Sequence, residues 1–392
     1  MKGKVILKKI GIGIITAALL LSQSMQLVYA EEENNPEATE EAADANSEEK
    51  TKEQIAAEEA AKKQASYDTP VDTNGLENWP TGPNVYAASA IVMDIDSGAV
   101  LYGKQIDEKR YPASITKLLT VLVALENANL TDRITFTDEC LNFLEWDDAN
   151  IGMRVGEEIT LEEALYGVLL ASANEVSYAV AKNVGENLGI GYDGFIELMN
   201  ERAQELGCKN SHWVNANGLH DENHYTTAYD MALIASAVYQ KEDFQRIEQT
   251  LEYKLGKTNL VEEERILDQN HKMLWPENYY YYPYAKAGKT GYTDQSKTTL
   301  VTMADNGNMR LAAVVLGDYG VDAYEDTRNM FEYGFGNFRK VMLSEQSKSE
   351  DIESFADSNA YIVLPEAVDF TNVDCEIPVS YTHLRAHETS AH

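Results

Sequence analysis

The chain has 392 residues, 44% of them hydrophobic and 9% aromatic, a composition typical of a folded globular protein and not of a disordered one. Its 65 acidic residues against 32 basic ones give a net charge of −33, which repels phosphate backbones and argues against a nucleic-acid partner. Because this length exceeds what one compact core usually organises, we expect a catalytic-sized domain with further segments. Cys140, Cys208 and Cys375 have no CxxC spacing, so neither a disulfide framework nor a structural zinc site is indicated.

Residues 1–30 have the pattern of a secretory signal peptide. Four lysines precede an apolar run of twelve residues at 10–21, and Val28 and Ala30 occupy the −3 and −1 positions before the expected cleavage site. The run is shorter than the roughly 20 residues that a membrane-spanning helix needs, which makes an uncleaved anchor the weaker alternative. We therefore expect an exported protein.

Residues 31–80 are expected to form an acidic disordered linker. Between residues 31 and 65 there are 12 acids and four lysines with almost no large apolar side chain, so this stretch cannot bury a core. Residues 53–63 have helical propensity, but we interpret them as part of a charge-rich spacer.

From about residue 85 onward, the sequence predicts strands that flank a long helical middle. Two short strands around Gly98 predict a hairpin over residues 90–102, and an apolar run predicts a buried helix over residues 115–125. A capping box at Thr160 starts the next helix. Helices are further predicted over residues 160–171, 175–184, 228–239 and 324–338, and strands over residues 298–303 and 309–316.

Ser114 and Lys117 form an S-x-x-K pair at the start of the buried helix. Three residues apart, they share one helix face, where a neutral lysine amine can take the serine proton. The serine follows Pro112, and the free backbone N–H groups of a helix start can stabilise developing negative charge. The same spacing at Ser47 and Lys50 lies among solvated acids, where the amine stays charged, so we interpret that match as chance.

Two further short motifs supply complementary groups. Ser172 and Asn174, at a predicted joint between two helices, offer a hydroxyl and an amide suited to relaying a proton and positioning a substrate amide. Lys289-Thr290-Gly291 offers a cation and a hydroxyl beside a glycine that lets a substrate approach the backbone. Taken singly, the first motif is explained more simply by local backbone capping and the second by a surface lysine before a turn.

Taken together, S-x-x-K, S-x-N and K-T-G in this order are the signature of active-site-serine penicillin-recognising enzymes. The chain resembles the low-molecular-weight penicillin-binding proteins that are serine-type D-alanyl-D-alanine carboxypeptidases, over roughly residues 85–338. The similarity includes the hairpin at residues 88–102, the approach Tyr111-Pro112-Ala113-Ser114, and the loop at residues 217–230.

The resemblance implies an α/β (α+β) fold, in which an antiparallel sheet packs between helices and an all-helical lobe is inserted. The catalytic domain is then expected over residues 81–342, with its site in the groove between sheet and lobe. The implied function is that of an exported hydrolase, located at the outer face of the cytoplasmic membrane or in the cell wall. It would remove the terminal D-Ala from peptidoglycan stem pentapeptides through an acyl-enzyme, be acylated by penicillins and need no cofactor.

The catalytic residues that the resemblance implies are Ser114, Lys117 and Ser172. Ser114 would attack the carbonyl of the penultimate D-Ala, and water would later hydrolyse the acyl-enzyme. Lys117 would be the general base, which requires burial and a neighbouring cation to lower its pKa from about 10.4. Ser172 would pass the proton to the leaving amine.

The substrate-binding residues that the resemblance implies are Asn174, Lys289, Thr290, Gly291 and Tyr292. Asn174 would orient the substrate amide or Lys117. Lys289 and Thr290 would hold the terminal carboxylate, and Lys289 is also the candidate cation beside Lys117. The backbone N–H groups of Ser114 and Tyr292 would form the oxyanion hole.

Two other functions stay open at this point. A β-lactamase shares the three motifs but must deacylate penicillin quickly, for which class A enzymes use an added Glu and a water. Glu197 and Asn200 lie in what looks like an ordinary amphipathic helix, and Ala173 stands where that class has Asp. A penicillin-binding or wall-binding protein without turnover is the other alternative.

No metal site is predicted from the histidines. His220 and His224 are four residues apart, but the sequence between them is not HExxH and lies in a loop, where helical facing does not apply.

The C-terminal residues depart from the pattern of the family. Residues 343–380 are expected to be a truncated β-rich segment that begins near Ile362-Val363-Leu364-Pro365. Residues 381–392 carry three of the seven histidines and no apolar periodicity, and we interpret them as an unstructured tail that is foreign or the product of a truncated reading frame. A membrane contact stays open, because the visible C-terminus does not place one.

Overall fold

The computed structural model describes residues 6–7, 52–345, 359–370 and 375–376. Its strands, in chain order, are β1 (Ile6–Leu7), β2 (Ser89–Asp94), β3 (Val100–Lys104), β4 (Arg133–Thr135), β5 (Glu158–Thr160), β6 (Glu252–Leu255), β7 (Arg265–Asp268), β8 (Ala285–Thr293), β9 (Lys297–Asp305), β10 (Arg310–Asp318), β11 (Phe338–Met342), β12 (Tyr361–Pro365) and β13 (Cys375–Glu376). Its α-helices are α1 (Lys52–Tyr67), α2 (Lys117–Asn127), α3 (Asp138–Leu141), α4 (Leu161–Leu169), α5 (Asn174–Asn187), α6 (Gly191–Glu205), α7 (Ala228–Tyr239), α8 (Glu242–Glu248) and α9 (Asp322–Asn337).

The central sheet is antiparallel, with five strands in the order β3-β2-β10-β9-β8. Every residue of β2 is buried, and its side chains alternate between two cores because successive residues of a strand face opposite sides. Ile91 and Met93 pack toward the helical lobe, whereas Ala90 and Val92 pack toward the side of α9. The sheet is therefore covered on both faces, and β3 and β8 are its two edge strands.

A helical lobe is inserted between β3 and β8, with α2 at its centre. All residues from Lys117 to Ala124 are buried, as the apolar sequence of this helix predicts. The predicted capping box at Thr160 is present, since its side chain and that of Glu163 each bond the other residue's backbone N–H. The sheet between helices and the inserted lobe confirm the expected fold class.

The segment 52–80 differs from the expected disordered linker. Helix α1 has no buried residue, but Ser66 Oγ at its last turn donates to Tyr86 O at 2.7 Å. Beyond the helix, Val71 and Thr73 are buried against the domain. The sequence pattern does not reveal this attachment, because the solvated helix has no apolar face and only two side chains between it and residue 80 are buried.

The strand β12 pairs with β11 in a separate two-stranded antiparallel sheet. Val363 is buried there, so the described part of the C-terminal segment rests on the main domain. The proposed tail at residues 381–392 lies outside the described residues, as do nearly all of the signal peptide and residues 31–51. None of the helices in the described part of the chain combines the length and apolar character that crossing a membrane requires.

Candidate active site

The first wall of the site is the short 3-10 turn Ala113–Thr116, which leads directly into α2. It carries Ser114 at its second position and presents the hydroxyl to the groove. Ala113 has a φ of +51°, a left-handed conformation that is strained for a residue with a Cβ. Thr299 on β9 donates its hydroxyl to Pro112 O at 2.8 Å, so the central sheet fixes the backbone before the serine.

Lys117 lies beside Ser114 and is fully buried, with its Nζ 2.8 Å from Ser114 Oγ. The amine also donates to Asn174 Oδ1 at 2.7 Å and to the backbone oxygen of Asn217 at 2.6 Å. Burial lowers the pKa of Lys117 well below its ordinary value, and the positive charge of Lys289 lowers it further. These effects favour a neutral amine.

The three partners of Lys117 also fix the direction of the hydrogen bond to the serine. A neutral amine has two N–H donors and one lone pair, and both carbonyl oxygens can only accept. When they take the two N–H groups, the lone pair of Lys117 faces Ser114 Oγ. The hydroxyl of Ser114 must then donate to the amine, which is the arrangement that proton abstraction needs.

The second wall is the joint between α4 and α5. Ser172 stands there with a φ of +60°, and its hydroxyl accepts a hydrogen bond from Lys289 Nζ at 2.9 Å. Asn174 is the first residue of α5, and its amide nitrogen lies 3.4 Å from Asp148 Oδ1. This contact fixes the amide orientation that turns Asn174 Oδ1 toward Lys117.

The third wall is the edge strand β8, which carries Lys289, Thr290, Gly291 and Tyr292. Lys289 is 1% exposed, and its Nζ donates to Thr290 O at 2.9 Å in addition to Ser172. Gly291 is required by space, because a Cβ there would lie 2.9 Å from the backbone nitrogen of Ser114. The strand therefore passes directly beside the nucleophile's backbone.

These walls enclose a cavity of about 400 Å³. Ser114, Ser172, Thr290, Gly291 and Tyr292 line it directly. The other predicted site residues, Lys117, Asn174 and Lys289, lie behind this lining and reach it through the hydrogen bonds given above. All eight predicted residues therefore meet at one groove between the sheet and the helical lobe.

Two residues at the site, Asn217 and Glu248, were not among the site residues predicted from the sequence. Asn217 contributes only its backbone oxygen, which any residue type has, although its loop belongs to the segment that resembles the family. Glu248, the last residue of α8, is fully buried near Lys289 and gave no pattern of its own. Its hydrogen-bond partners, Gln269 and Gly288, lie 21 and 40 residues away in the sequence.

The histidine pair does not form a metal site among the described residues, in which no cluster of metal-binding side chains occurs. His224 is buried, and its two ring nitrogens lie 2.8 Å from Thr116 Oγ1 and 3.1 Å from the backbone nitrogen of Val214. His220 packs edge-on against Tyr111 instead. His224 therefore braces the turn that carries Ser114.

Comparison with known proteins agrees with this geometry. The profile of the D-alanyl-D-alanine carboxypeptidase family Peptidase S11 matches residues 77–320. The D-alanyl-D-alanine carboxypeptidase DacF of Bacillus subtilis is 32% identical over 273 residues, covering 67% of this chain and 66% of the relative. DacB2 of Mycobacterium tuberculosis is 30% identical over 274 residues, covering 68% and 88%.

Among solved structures, the Streptomyces K15 DD-transpeptidase superposes with a TM-score of 0.60 at 26% identity, covering 66% of this chain and all of that one. The match of the family profile to more than half of the chain includes all three motifs of the groove. The chain therefore belongs to the D-alanyl-D-alanine carboxypeptidase family of serine peptidases, Peptidase S11.

Proposed function

We propose that the protein is an exported serine carboxypeptidase that removes the terminal D-Ala from peptidoglycan stem pentapeptides. The reaction passes through an ester on Ser114, and penicillins acylate the same oxygen. The single observation that carries this proposal is the buried Lys117 amine, whose two carbonyl partners leave its lone pair to the serine hydroxyl.

In the acylation step, Ser114 Oγ bonds to the carbonyl carbon of the penultimate D-Ala while its proton moves to Lys117 Nζ. The carbonyl oxygen takes up negative charge, which the backbone N–H groups of Ser114 and Tyr292 stabilise. The close passage of β8 at Gly291 supports this role, because it brings the two backbone segments to the same side of the nucleophile.

Collapse of the tetrahedral intermediate breaks the peptide bond and needs a proton on the leaving amine. Lys117, now charged, supplies it, and Ser172 relays it because its hydroxyl can accept and donate at once. The terminal D-Ala leaves, and water then hydrolyses the ester with Lys117 again taking the proton. Hydrolysis of the ester regenerates the enzyme with an unmodified Ser114 hydroxyl.

Lys289 and Thr290 bind the terminal carboxylate of the substrate. Lys289 lies at the base of the groove with its charge directed toward the hydroxyl of Ser172, and Thr290 lines the cavity. A carboxylate at this point distinguishes the end of a peptide from an internal bond, so this pair explains the choice of a C-terminal residue. Penicillins carry a carboxylate that the same two groups would bind.

Intact-protein mass spectrometry after treatment with benzylpenicillin tests the proposal, together with D-Ala release from a stem pentapeptide. We expect one adduct on the parent protein and on Ser47→Ala, which alters the chance S-x-x-K match. We expect none on Ser114→Ala. An adduct that persists on Ser114→Ala would contradict the assignment of the nucleophile, and rapid turnover of a chromogenic penicillin would favour a β-lactamase.

A further inference from the structure

Glu248 is a buried carboxyl group that the chemistry described above does not use. It ends α8, has no exposed surface and lies beside the strand that carries Lys289. Its Oε2 accepts hydrogen bonds from the backbone N–H of Gly288 and from Gln269 Nε2, both at 3.2 Å. Its Oε1 is buried and has no hydrogen-bond partner among the described residues.

Burial raises the pKa of Glu248 to about 7, whereas its hydrogen bonds and the Lys289 charge lower it, so the carboxylate is present on the alkaline side of neutrality. Two N–H donors point at one carboxylate oxygen, and hydrogen bonds from donors stabilise the anion. The protonated form would need an acceptor for its O–H, and no acceptor within the described chain bonds to Oε1. A buried anion without an adjacent cation is costly, so the nearby Lys289 ammonium is the charge that balances it.

Gly288, the residue bonded to Glu248, immediately precedes Lys289. A Cβ on Gly288 would lie 2.3 Å from Val301 O and 2.6 Å from His271 Nε2, so the strand packs too closely here for any larger residue. Gln269 ties the carboxylate to the same region, since its Nε2 also donates to Glu248 O at 3.1 Å. The carboxyl group therefore fixes the backbone from which the Lys289 side chain extends.

We propose that Glu248 is a positioning residue, whose buried carboxylate fixes strand β8 and keeps the Lys289 ammonium charged for binding the substrate carboxylate. The inference rests on the proposed function, because it assigns Lys289 that task. Glu248 is not among the residues that line the cavity, and its side chain bonds to Gly288 and Gln269, so it acts through strand β8 and Lys289.

The charges around Lys289 show which limb of a pH profile Glu248 controls. Burial lowers the pKa of Lys289, and the negative charge of Glu248 raises it again. Burial lowers the pKa of His271 to about 3, so this neighbour stays neutral over the working pH range. Lys117 is the other buried lysine of the groove: burial and the Lys289 charge lower its pKa, Glu175 and Asp148 raise it in part, and its titration governs the acid side.

Removal of the Glu248 charge should therefore move only the alkaline limb. Without the Glu248 charge, Lys289 loses its proton at lower pH. Binding of the substrate carboxylate therefore weakens at a lower pH than in the parent protein. The acid limb keeps its place, because Lys289 stays charged there with or without Glu248. A merely structural defect lowers the rate at every pH and moves neither limb.

The test measures the pH dependence of the second-order rate of acylation by a fluorescent penicillin. We expect Glu248→Gln to shift the alkaline limb by about one pH unit toward acid while the acid limb stays in place. Glu157→Gln serves as the matched control, since it neutralises another buried glutamate that does not bond to β8. We expect its limbs to coincide with those of the parent protein.

Coinciding profiles for Glu248→Gln and the parent would overturn the inference. If Glu248→Gln does not fold, ¹³C NMR of glutamate-labelled protein decides, with Lys289→Met as the comparison. Removing the cation must raise the pKa of one buried glutamate, and an unchanged set of glutamate titrations would overturn the inference. Failure of the proposed function is distinguishable, because the parent protein itself would then form no penicillin adduct.

Discussion

The groove and the ion pair between Glu157 and Arg265 both contain buried ionisable side chains, but the partners of these side chains differ. Glu157 is fully buried, and Arg265 donates to both of its carboxylate oxygens at 2.8 and 3.0 Å. In the groove, Lys117 and Lys289 are equally buried, yet they bond to hydroxyl, amide and backbone oxygens and to no carboxylate in the described part of the chain.

The partners of a buried ionisable group therefore determine whether it is structural or reactive. Burial raises the pKa of Glu157, but the hydrogen bonds from Arg265 and Thr258 outweigh this effect and keep the pKa below its usual range. Burial and the Lys289 charge lower the pKa of Lys117, and the opposing effect of Glu175 and Asp148 does not restore it. One group stays charged at all ordinary pH values, and the other can exchange a proton during a reaction.

The largest expected effect comes from Ser114→Ala, which removes the atom that the neutral amine activates. We expect acylation and D-Ala release to fall on the order of 10⁶-fold, to background, because the covalent route is lost. The folded structure should persist, since Ser114 is only partly buried and the substitution removes a single oxygen atom. The melting temperature and the penicillin adduct mass measure the two parts of this prediction.

Lys117→Ala should reduce acylation by about 10²- to 10⁴-fold, the usual contribution of a general base. Lys104 offers a matched control, because it is another buried lysine whose Nζ donates to backbone oxygens far from the groove. Lys104→Met should lower stability while the folded fraction reacts at the parental rate. Equal acylation rates for Lys117→Ala and the parent would remove the proposed base.

The pH profile of acylation should be bell-shaped. The reaction needs neutral Lys117, so the rate falls as pH drops through its lowered pKa. It also needs charged Lys289, whose pKa is lowered by burial, so the rate falls again well below the ordinary lysine value of about 10.4. Stopped-flow rates that keep rising up to pH 10 would contradict this assignment.

Glu157→Gln should break the ion pair and leave the rate of acylation nearly unchanged. We expect a loss of about 1 to 3 kcal/mol in the free energy of unfolding, because Arg265 keeps its charge without a charged partner. The lowered pKa of Glu157 stabilises the fold above its unfolded value of about 4.3, and this contribution disappears as pH falls through the folded pKa. The variant should lack that acid dependence in urea titrations, and an unchanged acid dependence would contradict this account.

The smallest effect is expected on the exposed side of the helical lobe. Arg202 pairs with Glu126 at 2.8 Å and with Glu205 at 3.1 Å, where solvent screens the charges. Arg202→Ala should change the free energy of unfolding by only about 0 to 1 kcal/mol. A loss as large as that from Glu157→Gln would show that the two ion pairs do not differ as proposed.

The sequence predicted those parts of the fold and site that depend on local patterns. Two short apolar runs around a glycine turn located the hairpin of β2 and β3, and the capping box located the start of α4. The S-x-x-K spacing predicted that Ser114 and Lys117 meet, and they do. Each of these signals lies within a few residues of chain.

The remaining parts depend on contacts between distant segments. The oxygen of Asn217 that orients Lys117 is 100 residues away and belongs to the backbone, so its residue type gives no signal. Glu248 sits on a short helix whose sequence alone suggests solvent exposure. Only the fold buries it beneath β8, which is why its link to Lys289 was not predicted.

Two non-glycine residues with left-handed backbones, Ala113 and Ser172, stand next to the reacting groups. Such a conformation costs roughly 1 to 2 kcal/mol per residue. Laboratory selection for heat resistance could relieve it at Ala113 by introducing glycine, as it could at Gln105 or Lys297, which share the conformation elsewhere. At Ser172 the same exchange would delete the hydroxyl that the proposed reaction uses. A glycine there would relieve the backbone strain but lower the reaction rate.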